Sequence, residues 1–250
     1  MSIHERTHLL LGEETCQQLK NKHILIAGIG GVGSFAAEAL IRAGIKQVSL
    51  LDHDTVSESN RNRQLLALAS TVGQQKTAVM QARAKDINPA VTITALPYFI
   101  TPDNAVDFVL QQHPQQNNTA AQPFDYVLDC IDSIACKAAL VIACQQHKIP
   151  IISSMGAGGR LDPTQIHLTQ LAKTENCGLA REMRKRLRKA GRSLNYPVVY
   201  SSEIARKGTG HLPIAEDENA QPRTTNGTIS YLPALFGLTM AGHVVQALIN

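Results

Sequence analysis

Residues 23–33 read HILIAGIGGVG. The first six form an apolar run of strand length, the turn that follows is rich in glycine, and residues 34–43 then show helical spacing of their apolar positions. Glycine lets a backbone turn sharply and approach a phosphate, and the N-terminus of the next helix presents free N–H groups to it. An acid that ends the second apolar run, nineteen residues after Gly33, is placed to accept hydrogen bonds from ribose hydroxyls. The pattern predicts a nucleotide site, for ATP or NAD, formed by Gly28, Gly30, Gly31, Gly33 and Asp52.

Strand-like and helical segments alternate from this stretch onward. Strands are predicted at 47–52, 91–99, 124–130 and 149–154, and helices at 72–88, 103–112 and 133–147. Such alternation with short connections is typical of an α/β fold. We therefore expect a Rossmann-like, doubly wound and mostly parallel sheet with helices on both faces.

The alternation stops after Gly159. Residues 165–171 predict an antiparallel strand at the C-terminal side of the sheet, residues 179–190 a basic helix, and residues 234–249 a C-terminal helix. Residues 113–123 are polar and are expected to form a surface loop, while residues 193–223 lack periodicity and are expected to form an irregular crossover segment. We expect the 250 residues to form one domain.

Composition and cysteine usage narrow the class of protein. Hydrophobic residues make up 44% of the chain, aromatic residues only 4%, and tryptophan is absent, so the core is expected to be aliphatic. The five cysteines form no CxxC pair, which favours reduced thiols in a cytoplasmic protein and no structural zinc. Residues 1–14 do not resemble a signal peptide. The apolar residues 231–249 contain Pro233 and lack flanking basic anchors, which favours a buried helix over a membrane span.

The residues that follow the predicted ribose acid favour ATP over NAD. Asn60, Arg63 and Gln64 come soon after it, and Lys76 lies further along. A triphosphate needs several cations and donors to hold it in place. Taken singly, Arg63 and Lys76 are also compatible with solvated surface charges. Asp132, at the end of a later strand, is placed to hold Mg²⁺ where the strand order reverses.

These motifs resemble those of the E1-like adenylating superfamily, which includes bacterial sulfur-carrier activators and ubiquitin-activating enzymes. The resemblance is carried by residues 28–33, 51–56 (LDHDTV), 60–64 (NRNRQ), 73–76 (GQQK) and 128–132 (LDCID), and it covers roughly residues 6–171.

The resemblance implies a role for each matching residue. Asp52 would bind the ribose, and Asp132 would bind Mg²⁺. The phosphates would be bound by Asn60, Arg63 and Lys76, and the nucleotide-binding set would be completed by Asp54 and Gln64. Arg6 matches an arginine that reaches the phosphates from the other protomer of a homodimer. The implied reaction is the attack of a carboxylate on the α-phosphorus of ATP to give an acyl-adenylate, with no protein nucleophile.

Two carboxylate substrates are compatible with this core. Residues 155–166 (MGAGGRLDPTQI) and 171–174 (LAKT) resemble the bacterial tRNA threonylcarbamoyladenosine dehydratases, which cyclise a modified adenosine at position 37 of tRNA. The alternative is the C-terminal glycine of a ubiquitin-like sulfur carrier, although enzymes of that kind usually have two CxxC pairs. Cys177 has no charged neighbours in sequence and is expected to be a bystander. A third hypothesis is a catalytically silent RNA-binding scaffold.

A basic segment favours the tRNA substrate. Residues 173–207 carry ten basic and three acidic residues, a net charge of +7, which leaves −3 for the rest of the chain. Concentrated positive charge on one helix predicts RNA contact, whereas a solvated helix face would carry interspersed acids. The predicted tRNA-binding residues are Arg181, Arg184, Lys185, Arg186, Arg188, Lys189 and Arg192. We expect a homodimer, and a sulfur-transfer or stimulatory protein partner stays open.

Overall fold

A computed structural model describes residues 3–112, 123–206 and 227–250 of the chain. The seven strands in these ranges are β1 (His23–Ala27), β2 (Gln47–Leu51), β3 (Thr92–Leu96), β4 (Tyr126–Asp129), β5 (Ile151–Ser154), β6 (Ile166–Gln170) and β7 (Pro197–Ser201). The α-helices are α1 (Glu5–Leu11), α2 (Glu13–Lys20), α3 (Gly33–Ala43), α4 (Lys76–Ile87), α5 (Ala105–Val109), α6 (Ile134–Gln146), α7 (Gly178–Lys189) and α8 (Tyr231–Ile249). The predicted loop at 113–123 lies almost wholly outside the described residues.

The strands form one sheet in the order β3-β2-β1-β4-β5-β7-β6. All neighbouring strands are parallel except β6 and β7, which pair antiparallel. The chain moves from β1 toward β3 on one side and from β4 toward β7 on the other, so the strand order reverses between β1 and β4. In open α/β sheets ligands bind in the crevice at the carboxyl ends of the strands at this point. The predicted fold class is confirmed.

Helices cover both faces of the sheet. Along β1, Ile24 and Ile26 belong to the apolar cluster formed with α3, α4 and α8, whereas Leu25 and Ala27 belong to the cluster formed with α5, α6 and α7. This two-residue alternation is what a strand buried on both sides requires, because successive side chains point to opposite faces.

The C-terminal helix α8 is part of this packing. A Cβ at Gly237 would lie 2.3 Å from the backbone oxygen of Val32, so the two backbones are in close contact there. By length and composition α8 is able to cross a membrane, yet 39% of its apolar window is buried within the chain. Its packing against α3 agrees with the prediction of a buried helix.

Strand β7 corrects the prediction that residues 193–223 are irregular throughout. Val198 and Val199 are buried on opposite faces of the sheet, and β7 pairs with both β5 and β6. The five-residue run PVVYS lies between polar segments and was too short to show a clear strand period. Residues 207–223 of the predicted crossover segment lie outside the described part of the chain.

Candidate nucleotide-binding and catalytic site

The glycine-rich loop between β1 and α3 forms one wall of the crevice. A Cβ at Gly33 would lie 1.8 Å from the backbone oxygen of Gly28, and one at Gly28, whose φ is +88°, would lie 2.7 Å from the backbone oxygen of Cys130. Only glycine fits these two positions, because the loop folds back on itself and onto the end of β4. No side chain caps the first turn of α3, although the N–H of Ser34 donates to the backbone oxygen of Gly30 at 3.1 Å. The N-terminus of such a helix is a favourable place for a phosphate.

The carboxylate of Asp52 is bound directly to this loop. Its Oδ2 accepts a hydrogen bond from the backbone N–H of Ile29 at 2.6 Å, and its Oδ1 accepts one from the N–H of Asp54 at 2.9 Å. Each carboxylate oxygen has a further lone pair that can accept a ribose hydroxyl. The position after β2 therefore fixes an acceptor beside the glycine-rich turn.

Lys76 lies in the same cluster. It begins α4, only 4% of it is exposed, and its Nζ is 2.7 Å from Asp54 Oδ2 and 3.9 Å from Asp52 Oδ1. The potential ligand atoms of Asp52, His53 and Asp54 lie within 4.8 Å of one another. Because the ammonium group already pairs with Asp54 and lies close to Asp52, the cluster is a poor site for a divalent cation. Lys76 is thus brought next to the predicted ribose acid.

Arg63 and Gln64 lie over the outer part of the glycine loop. A Cβ at Gly31 would lie 3.5 Å from Cγ of Arg63, and one at Gly30 would lie 3.6 Å from Nε2 of Gln64. Gln64 is buried, and its Oε1 has no hydrogen-bond partner in the described structure. An acceptor that is buried without a partner beside a phosphate-type loop fits a site whose ligand supplies the missing donor.

Asp132 and Arg63 interact electrostatically at the point where the strand order reverses. Burial lowers the pKa of the Arg63 guanidinium below its ordinary value, and the carboxylate of Asp132 acts in the opposite direction. Asp132 is exposed and follows β4 by three residues. Asn60 lies on the same segment as Arg63, where its Oδ1 accepts the N–H of Ser57 at 3.3 Å. Arg63 beside the glycine loop thus interacts with an exposed carboxylate that follows β4.

Comparison with known proteins agrees with this geometry. The ThiF family profile matches residues 4–250. The chain belongs to the ThiF family. It is 38% identical to the tRNA threonylcarbamoyladenosine dehydratase of Bacillus subtilis, over 98% of this chain and 94% of that protein.

Solved structures give the same relationship. The tRNA N6-threonylcarbamoyladenosine dehydratase of E. coli in complex with AMP superposes with a TM-score of 0.83 at 36% identity, covering 98% of this chain and 93% of that one. The same enzyme has been solved with ATP, with a TM-score of 0.82. A molybdopterin-synthase adenylyltransferase of Salmonella typhimurium is 36% identical, but over only 58% of this chain and 53% of that protein.

One predicted residue of the ThiF-family site lies away from the crevice. Arg6 is exposed on α1, a helix that has no buried residues, and no hydrogen bond or ion pair of Arg6 is seen among residues 3–112, 123–206 and 227–250. On the same helix, Leu9 and Leu10 are 85% and 81% exposed. The role of Arg6 in a second protomer therefore stays a prediction.

A buried ion pair beneath the crevice was not predicted from the sequence. Lys137 and Asp129 are both fully buried, and their Nζ and Oδ2 atoms are 2.8 Å apart. Lys137 also donates to the backbone oxygen of Ser154 at 2.9 Å, and the hydroxyl of Ser153 donates to Asp129 Oδ2 at 2.6 Å. The pair joins the carboxyl ends of β4 and β5, next to Asp132. The signal that could have revealed it is the single lysine in the apolar helix α6.

Arg160 is the second residue whose role was missed. It is buried, and its guanidinium donates to four backbone carbonyl groups, at 2.7 Å to Gly156 and at 3.0 to 3.2 Å to Gly158, Asn176 and Glu203. These contacts connect the loop after β5 to the segment that leads into α7. The glycines of this loop stood out in the sequence, but the arginine that shapes the loop did not.

The basic helix α7 packs by Met183 and Leu187 and carries its charges around them. Arg184 differs from the other predicted RNA contacts. Its guanidinium donates to the backbone oxygen of Thr174 at 3.0 Å and also contacts the Thr174 hydroxyl, so it holds α7 to the preceding turn. The exposed basic residues are Arg181, Lys185, Arg186, Arg188 and Lys189. Arg192, just beyond the helix, is half-buried.

Proposed function

We propose that this chain uses ATP to dehydrate N6-threonylcarbamoyladenosine at position 37 of tRNA, giving the cyclic hydantoin form. The observation that carries this proposal is the match along nearly the full chain to threonylcarbamoyladenosine dehydratases, at a crevice with the features of an ATP site. We place the reaction in the cytoplasm and assign it to residues 1–250 acting as one adenylation domain.

The proposed reaction consists of two nucleophilic displacements. An oxygen of the threonyl carboxylate attacks the α-phosphorus of ATP, and the bond to pyrophosphate breaks. The carbamoyl nitrogen then attacks the activated carbonyl carbon and loses its proton, while AMP leaves with the former carboxylate oxygen. One water is lost from the nucleoside. The second step needs no protein nucleophile. Burial raises the pKa of the Cys130 and Cys144 thiols far above the ordinary value of a thiol, so neither forms a reactive thiolate at neutral pH.

The residues of the crevice would bind and orient the two reactants. Asp52 would accept the ribose hydroxyls, and the N–H groups of the glycine loop and of α3 would face the phosphates. Arg63 and Lys76, with Asn60, would offset the charge that develops on the phosphates. Holding the carboxylate in line with the α-phosphorus would supply most of the rate acceleration.

Asp132 would hold Mg²⁺. The ion typically takes one or two carboxylates together with substrate phosphates, so a single exposed carboxylate near Arg63 is sufficient. When bound, Mg²⁺ would neutralise phosphate charge. Asp132 fits better than the Asp52 and Asp54 pair, because Lys76 already occupies the space between those two carboxylates.

Mass spectrometry of nucleosides tests the proposal. tRNA that carries threonylcarbamoyladenosine is incubated with the protein, ATP and Mg²⁺, and the modified nucleoside is expected to lose the mass of one water. Arg63→Ala is expected to abolish this loss. The matched control is Arg61→Ala, because Arg61 is a nearby arginine whose guanidinium pairs with the exposed Glu58. An unchanged nucleoside with wild-type protein, together with adenylation of a ubiquitin-like carrier, would favour the alternative substrate.

We also propose that the enzyme is a homodimer in which Arg6 reaches the phosphates bound by its partner. The exposed apolar residues of α1 support a covered position for this helix. Mixing inactive Arg6→Ala protein with inactive Arg63→Ala protein tests this, since a heterodimer would contain one site with both arginines intact. Recovery of activity on mixing is expected. If the mixture stays inactive although subunits exchange, Arg6 does not act across a dimer.

A further inference from the structure

A groove of about 460 Å³ lies at the edge of the sheet opposite to the ATP crevice. Tyr126, Ile151 and Pro197, the first residues of β4, β5 and β7, line it, and residues 148–150, 191–193 and 195–196 also contribute to the lining. The crevice and the groove are therefore separated by the length of the strands, roughly 15 Å at about 3.3 Å per residue. Nothing in the proposed adenylation chemistry uses this groove.

The groove is positively charged. Its lining includes Lys148 and Arg192, and neither Asp nor Glu is among its described lining residues. Asp125, just before β4, is paired with Lys22 at 2.9 Å. The Nε of Arg192 is buried and has no hydrogen-bond partner in the described structure. An anion bound in the groove would be stabilised by the charges of Lys148 and of the Arg192 guanidinium, whose hydrogen-bonding capacity is not fully used within the described structure.

The walls of the groove are held in place before any ligand binds. Gln145 at the end of α6 makes two hydrogen bonds to Ser193, one in each direction, at 2.9 and 3.0 Å. Lys148 has a left-handed backbone conformation with φ of +56°. Such a conformation is unfavourable for a lysine, so the surrounding structure determines it. The two cations therefore stand on a preformed support.

The groove continues the basic face of α7. The helix ends at Lys189, and the N–H of Arg192 bonds back to the backbone oxygen of Leu187 at 2.9 Å, which places Arg192 directly after the last basic turn. At the other end, Leu179 lies against the loop after β5, since its Cβ is 3.8 Å from a Cβ at Gly156. A helix of twelve residues spans about 18 Å. The positive surface thus runs from the loop after β5 to the opposite edge of the sheet.

We propose that this groove binds a backbone phosphate of the tRNA, with Lys148 and Arg192 as its ligands, at the far end of the α7 face. The inference rests on the proposed function, because the RNA must place its modified nucleotide at the carboxyl edge of the sheet while its backbone follows α7. The anchor would then contact the anticodon stem, some distance from the reacting nucleotide. Its selectivity would be for phosphate and not for base sequence.

Lys148 and Arg192 also lie near the C-termini of α6 and α7, where a cation interacts favourably with the helix dipole. That role alone would affect stability without affecting RNA binding. The two roles are separated by the salt dependence of binding, because each lost phosphate contact reduces the slope of log K against log salt by about 0.7 to 0.9.

The test uses Lys148→Gln, Arg192→Gln and the double variant, with Lys85→Gln as the control on a helix of the other face. Fluorescence anisotropy over a salt series gives the Kd for full-length tRNA and for an anticodon hairpin trimmed to its loop and closing pairs. For full-length tRNA we expect weaker binding and a slope reduced by about one per cation. The trimmed hairpin, which cannot reach the groove, should bind all variants equally.

Two results separate the possible failures. If the wild-type protein neither binds nor modifies tRNA, the proposed function is wrong. If it does both, but the double variant keeps the Kd and slope of Lys85→Gln, the groove is not a phosphate site and the function stands. Arg192→Lys guards against a folding defect, because it keeps the charge and should keep the slope. A loss in Arg192→Lys as large as in Arg192→Gln, with both variants folded by circular dichroism, would also overturn the assignment.

Discussion

Removing the ammonium group of Lys137 is expected to destabilise the protein strongly. Lys137→Met keeps a side chain of similar length but leaves the carboxylate of Asp129 without its partner at 2.8 Å, in a position with no solvent exposure. Breaking a buried ion pair by removing one partner costs about 3–5 kcal/mol. Domains have a free energy of unfolding of about 5–15 kcal/mol, so this is a large share of the total. At about 2–4 °C per kcal/mol, Tm should fall by roughly 6–20 °C.

The loss should also depend on pH. Burial raises the pKa of Asp129 above its ordinary value, and Lys137 counteracts that rise. Without Lys137 the folded-state pKa rises further. When the pKa of a carboxyl group is higher in the folded than in the unfolded protein, the protein loses stability as the pH rises from the unfolded-state pKa to the folded-state pKa. The destabilisation of Lys137→Met should therefore be smaller in mildly acidic than in mildly alkaline buffer.

Urea unfolding followed by circular dichroism measures both effects. The double variant Asp129→Asn, Lys137→Met removes both charges and should be more stable than Lys137→Met alone. Arg61→Met is the control for an exposed pair, since Arg61 and Glu58 are 45% and 69% exposed, and it should cost less than about 1 kcal/mol. The reasoning is refuted if Lys137→Met costs no more than Arg61→Met, or if the double variant is as unstable as the sum of its two single changes.

Three further predictions follow from single contacts. Gly237→Ala should destabilise the protein by about 1–3 kcal/mol, because its Cβ would lie 2.3 Å from a backbone atom. Gly242→Ala should stabilise α8 by about 0.5–1 kcal/mol, because no atom lies within 4 Å of its Cβ. Equal Tm shifts of the two variants would contradict this. Burial raises the pKa of Glu38, but hydrogen bonds from Arg83 and Arg42 outweigh it and hold that pKa below its ordinary value. The stability difference between wild type and Glu38→Gln in urea unfolding should therefore disappear as the pH falls through that pKa, and a constant difference would exclude the linkage. Cys177→Ala should keep tRNA-dependent pyrophosphate release, and an inactive folded variant would restore a thiol mechanism.

The fold and the position of the crevice were accessible from sequence because their signals are local. The strand, the glycine turn and the first turn of α3 are consecutive, and Asp52 ends the next strand, so one pattern brings the ribose acid to the loop. The observed contact from the N–H of Ile29 to Asp52 follows from that order. The apolar run of α8 likewise predicted a buried helix, although not the close contact at Gly237 that seats it on α3.

The residues that were missed depend on contacts between different elements of the fold. Nothing near Arg184 in the sequence indicates that Thr174 will bind its guanidinium, and the pairing of Lys137 with Asp129 depends on where α6 lies on the sheet. Strand β7 forms because it pairs with both β5 and β6, and its own five residues do not reveal that pairing. Sequence patterns report periodicity within an element, whereas these features are decided by how separate elements pack, even where only eight residues separate the partners, as for Lys137 and Asp129.

Arg160 would couple the proposed RNA contact to the proposed adenylation site. Its guanidinium is bound to carbonyl groups of the loop after β5 and of Asn176, two residues before α7 begins. RNA bound along α7 would therefore contact a helix whose first turn is held to the loop after β5, near the proposed reaction site. A small carboxylate attached to a large polyanion needs this arrangement, because the backbone supplies the affinity while the carboxyl group must be placed at one phosphorus atom.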